Sequence, residues 1–241
     1  MARIQLRNTK VFIEDGLAGT LLCNEAVSAA IAATTMLVDT TVLNSTVTTQ
    51  VPLGARFINA TIEHTVTART PSSGATTAIT FTPALTVAIL ADVSVTILSQ
   101  RLEIKIGEGD ISWTESRGFI YDLDRDILDT VRQDVEVPLS VDSSFTYEYI
   151  KSQTGRAITP VEALKGTGAA SEWVSSSADL CEPYAVDLRV RHIVPCGTDE
   201  DEDVVFPDFR YESLEFSVAD ATIAVAGQCN STEALVTRGD F

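Results

Sequence analysis

His64 and His192 are the only imidazoles in this 241-residue chain, and each falls on the apolar side of a strand-like stretch. An imidazole so placed could be a general base or a metal ligand. The commoner role there is a core ring with its nitrogens hydrogen-bonded, and that reading is adopted. The four cysteines, Cys23, Cys181, Cys196 and Cys229, form no CxxC pair, so the strong zinc signal is lacking. Cys181, Cys196 and Cys229 could converge with His192 as three sulfurs and one nitrogen; reduced thiols packed as small apolar groups are the expected outcome. Asp122, Asp124 and Asp126 have the odd spacing that opens a calcium loop. The sixth position is Ile127 and the twelfth Gln133, where such a loop needs glycine and an acid, and Arg125 sits among the carboxylates. With Asp129, these acids read as a solvated, salt-bridged loop. Asp199, Glu200, Asp201, Glu202 and Asp203 are five acids in a row, expected at a solvated hairpin tip between two strands. No nucleophile elbow, HExxH helix, Walker loop or dinucleotide turn occurs. The expectation is a protein without catalytic centre, metal or cofactor.

The elements that carry these residues alternate with a period of two. Val186, Leu188, Val190 and His192 face one way, with Asp187, Arg189 and Arg191 opposite. Phe145, Tyr147 and Tyr149, then Leu214, Phe216 and Val218, then Ile223 and Val225, and Leu102, Ile104 and Ile106 repeat the pattern. Such alternation predicts antiparallel sheet with one face packed and one wet. Ile62, His64 and Val66 alternate with threonines before a Pro71–Gly74 turn, and Ile79 and Phe81 resume the alternation after it, which reads as a hairpin. Thr82-Pro83 could start one helical turn running to Leu90. Thr159-Pro160-Val161-Glu162 is a capping box, and Gly166 stops the short helix it opens.

Charge divides the chain. Residues 1–100 hold six acids and five bases, whereas residues 101–241 hold 28 acids and 12 bases. Threonine is concentrated in the first part, with 19 of its 29 copies. The organisation expected is a main β domain from residues 1–34 and 99–241, the first 34 residues serving as a strand and arm. A small Thr-rich β-module at 35–98 would be inserted in it. A net charge of −17 repels phosphate backbones and anionic lipid, which argues against sequence-specific DNA binding and against a membrane surface. The N-terminus has basic residues but no apolar signal core, so synthesis and folding in a cytoplasm are expected.

Several longer stretches carry a family likeness. Residues 104–117 (IKIGEGDISWTESR), 121–125 (YDLDR) and 128–132 (LDTVR) are followed by 137–141 (VPLSV) and 145–149 (FTYEY). Together with 173–179 (WVSSSAD), 181–184 (CEPY) and 206–211 (FPDFRY), they resemble the tail tube proteins of long-tailed bacteriophages over about residues 100–238. The resemblance implies a β-sandwich or barrel subunit with one short flanking helix. It also implies six-membered rings stacked into a tube, with other tail proteins as partners and a location in the virion tail. DNA would pass through an acidic bore without sequence-specific contact, since each basic contact to phosphate would add friction. The Thr-rich module would then face outward, away from the bore. The stretch from Gly107 to Pro138, with Trp113, Arg117, Arg125 and Arg132 and with seven acids from Glu108 to Asp129, is expected to be a loop that contacts a neighbouring subunit. A capsid decoration or other head–tail structural protein fits the same composition, and a carboxylate-pair glycosidase is the enzymatic alternative.

Overall fold

The computed structural model describes residues 8–17, 19–23, 28–39, 51–71, 76–104, 110–124, 127–146, 158–179, 181–194 and 200–239. The chain is mainly β, with one short α-helix among the described residues, and forms two compact units. The first comprises Met1–Glu14, Leu102–Lys165 and Ser176–Phe241; the second comprises Asp15–Arg101 and Gly166–Ser175.

The first unit is built on an eight-stranded antiparallel sheet. Its order is β8 (Arg101–Ile104), β1 (Thr9–Glu14), β13 (Val186–His192), β14 (Asp201–Ser217), β15 (Thr222–Gln228), β12 (Ser140–Thr146) and β9 (Ile111–Thr114), with β16 (Leu235–Gly239) paired to the start of β14. The alternation seen in the sequence sets the packed face: Val141, Phe145, Leu188, Phe206, Phe209, Ile223 and Val225 are buried. Gly227 sits where β14 bulges between Tyr211 and Ser213. A Cβ there would stand 2.1 Å from the Arg210 carbonyl oxygen, so only glycine fits this close approach. Helix α1 (Pro160–Lys165) has the cap its sequence announces. The Thr159 N–H donates to Glu162 Oε2 (3.1 Å), the Glu162 N–H donates to Thr159 Oγ1 (3.3 Å), and Gly166 takes the positive φ of a helix stop. Separate from the sheet, β10 (Arg117–Asp124) and β11 (Ile127–Glu136) pair, among the described residues, only with each other, as a two-stranded ribbon.

The second unit is a closed barrel, ordered β2 (Gly19–Cys23), β3 (Thr35–Asp39), β6 (Thr76–Thr82), β5 (Ile62–Pro71), β4 (Arg56–Asn59) and β7 (Ser94–Leu98). Closure removes both sheet edges and gives the unit a core of its own, from Met36, Val38, Phe57, Val66, Ile79, Phe81, Val95 and Ile97 among others. Its limits differ from the expected 35–98. The strand β2 closes the ring by pairing with β7 on one side and β3 on the other, but its sequence GTLLC does not alternate and so carries no strand signal. Residues 166–175 also belong here, where Glu172 pairs with Arg69 and accepts from the Leu53 N–H. The helical turn expected after Pro83 is absent: residues 83–88 run through bends, and Ala29 and Ile89 exchange both backbone hydrogen bonds.

Candidate functional site

The ribbon replaces the loop expected between Gly107 and Pro138, of which residues 107–109 and 125–126 lie outside the described residues. Cross-strand register sets Tyr121 opposite Val131, Ile120 opposite Arg132, and Arg117 near the base opposite Glu136. Phe119, Ile120 and Tyr121 are consecutive, so they alternate between the two faces of the ribbon, yet they are 50%, 41% and 61% exposed. Both faces therefore present large apolar groups to solvent. A two-stranded ribbon is marginal alone, and such surface marks a contact. Its base is held within the unit, because Arg117 pairs with Glu233 (2.6 Å) and the Ala234 N–H donates to Glu115 (3.1 Å).

The four residues assigned to an interface are thus differently placed. Arg117 and Arg132 share the ribbon, and Arg125 falls outside the described residues. Trp113 lies on β9, half-exposed, its ring 5.1 Å from that of the buried Phe206. Asp122 and Asp124 belong to β10 and Asp129 to β11, in strands rather than in a solvated loop.

The acid run also departs from expectation. Asp199 lies outside the described residues and Glu200 is exposed, but Asp201, Glu202 and Asp203 are already in β14. Asp203 is 1% exposed and takes two hydrogen bonds from Arg191 (2.9 and 2.8 Å) and one from Arg189 (3.3 Å). Arg189 also pairs with the buried Glu14 (3.0 Å). Hydrogen bonding to Asp203 raises the Arg191 pKa further. Two acids and two bases on three adjacent strands neutralise one another, which is how the polar side of β13 comes to be half-buried rather than wet. The wet face survives elsewhere. Asp110, Ser112, Asp142, Ser144, Ser213 and Glu215 line a shallow trough on β9, β12, β14 and β15 with no basic residue among them.

Of the groups that could do chemistry, His64 and Cys229 are enclosed. His64 is wholly buried, stacked on Phe57 with Phe81 at its edge, and its Nδ1 lies 2.8 Å from the Pro83 carbonyl oxygen, so no substrate reaches it. His192 Nδ1 lies 3.3 Å from Thr9 Oγ1. Burial, aided by Asp187 and Asp208, pushes the Cys229 thiol up to about 12, which leaves it protonated and inert. Cys181 is exposed and Cys196 lies outside the described residues. Among the described residues, no three acids, cysteines or histidines are grouped to hold a metal ion.

Asp15, which the sequence did not single out, is the most perturbed carboxyl of the second unit. It accepts from the Gln100 N–H (2.6 Å), Gln100 Nε2 (2.9 Å), the Leu17 N–H (3.2 Å) and the Val174 N–H (3.3 Å). Burial outweighs those bonds and lifts its pKa from 3.8 to about 6. A folded-state pKa above the unfolded one means that the group's stabilising contribution is complete below about pH 3.8 and is lost as pH rises through about 6. The difference amounts to about 3 kcal/mol. Asp15→Asn should therefore flatten the dependence of unfolding free energy on pH between 4 and 6, measured by urea titration. Identical slopes in the two proteins would refute this.

No family model, curated protein or solved structure matches this chain.

Proposed function

We propose that this chain is a virion structural protein, a tail tube subunit whose copies join into rings that stack around an acidic conduit for DNA. The observation that carries the reading is the ribbon: Phe119, Ile120 and Tyr121 expose apolar groups on both faces of an element that, among the described residues, pairs with no other strand. An element of that kind gains its burial from another molecule. Three further features agree with the reading. Among the described residues β8, β9 and β16 each pair on one side only, so strand edges remain for neighbouring copies. The trough bearing Asp110, Asp142 and Glu215 is the chemistry of a surface that must let phosphate slide past. The sequence resemblance over residues 100–238 points the same way.

The test is to charge the ribbon. Burying each of Phe119 and Tyr121 from half-exposure contributes about 1–2 kcal/mol per subunit. The pair Phe119→Asp and Tyr121→Asp should raise the protein concentration needed for assembly by at least about tenfold, at about 1.4 kcal/mol per decade. Arg132→Glu should act in the same direction. Sedimentation of polymer measures the effect, and circular dichroism checks that the fold is kept. Assembly at the original concentration by both the paired variant and Arg132→Glu would refute the role given to the ribbon.

A further inference from the structure

A second exposed apolar surface lies in the barrel unit and plays no part in the reading above. Segments 28–33 and 83–93 run antiparallel there, joined by Ala29–Ile89 bonds of 2.8 and 3.0 Å, by the Ala32 N–H to Leu85 oxygen (2.8 Å) and by the Leu85 N–H to Ala33 oxygen (2.9 Å). Ala29, Leu85 and Ile89 point into the barrel core. The residues beside them do not: Ile31 is 65% exposed and Leu90 63%, with Val87 and Val93 also exposed. All four lie within four residues of the Ala29–Ile89 bridge or are bonded to its neighbours, as the Val93 N–H is to the Leu90 oxygen (3.4 Å). Asn59 Nδ2 donates to the Val87 oxygen (2.7 Å), which fixes that stretch against β4. The surface is thus apolar and held in place.

We infer that this end of the barrel is a contact between copies of the chain. Charge argues for a second copy as the occupant. The second unit holds six of the 34 acids and three of the 17 bases, a net of −3, against −14 for the remainder. Within segments 28–33 and 83–93 the one ionisable residue is Asp92. Two chains of −17 repel wherever their acidic surfaces meet, and a nearly uncharged apolar patch is where they approach at least electrostatic cost. A like-with-like contact uses the same patch on both partners. Four aliphatic side chains bury on the order of 300 Å² per copy, below the about 800 Å² per partner of a stable interface. The contact is therefore weak alone and adds strength where copies are already arrayed.

Val87→Cys in the full-length chain, on a Cys181→Ser background, tests this with a short bis-maleimide crosslinker and with maleimide–polyethylene glycol. The background chain without Val87→Cys corrects for the other thiols. Expected are crosslinked pairs and protection from polyethylene glycol labelling in concentrated or assembled protein. Both effects should fall at least tenfold when Leu90→Glu or the milder Leu90→Ser is added. Full labelling of Val87→Cys in assembled tubes would overturn the inference and leave the tube reading standing. Crosslinked pairs without any tubes would do the reverse. Monomers with full labelling at every concentration would overturn both. Protection that appears only after another protein is added would overturn the choice of a second copy.

Discussion

Asp203→Ala should cost about 3 kcal/mol of unfolding free energy, because it removes the buried carboxylate that both Arg191 and Arg189 bond. Arg191 would lose both of its bonds to Asp203, and Arg189 would keep only Glu14. Against a total of about 5–15 kcal/mol for an ordinary domain, that loss removes about a fifth or more of stability. The direction is informative. Deleting one acid from a chain of −17 relieves repulsion, so on net charge alone the variant would gain slightly. Glu200→Ala is the matched control: the same acid run, but an exposed side chain, with an expected change within about 0.5 kcal/mol. Urea unfolding of the three proteins decides it. Equal midpoints for Asp203→Ala and Glu200→Ala would mean that the ion network contributes nothing net.

The second large effect concerns where the barrel unit can be cut. Deleting 36–98 leaves β2 without β3 or β7, an orphan strand with two open edges, and the product should aggregate. Deleting 16–100 and replacing 166–175 with a Gly-Ser linker removes the unit except Asp15 and Arg101 and spares every strand of the eight-stranded sheet. That protein should stay soluble, keep its β circular dichroism and still assemble. It should do so at higher protein concentration than the intact chain, because the contact between barrel units is gone. A soluble, folded product that never assembles would show that the barrel unit is required for assembly. Equal solubility of the two deletions would contradict the boundaries.

Strands that alternate were legible: β5, β6, β13 and β15 lie where the period of two put them, and α1 where its capping box did. What stayed hidden was pairing between distant segments. Glu14 and Arg191 read as ordinary surface charges until β1 and β14 flank β13 and bring Asp203 between the two arginines. The same holds for Asp15, whose four donors come from residues 17, 100 and 174. The ribbon escaped because an element uncovered on both faces has no inside and outside to make its sequence alternate. Phe119-Ile120-Tyr121 therefore reads as a loop with a few apolar residues.

Negative-stain electron microscopy of the purified chain, across concentration and salt, tests the central claim most directly. A tube subunit gives rings, or hollow tubes of uniform bore that lengthen with concentration, and Phe119→Asp with Tyr121→Asp abolishes them at matched concentration. Compact monomers or trimers under every condition, with no polymer even when other tail components are added as nuclei, would contradict the account.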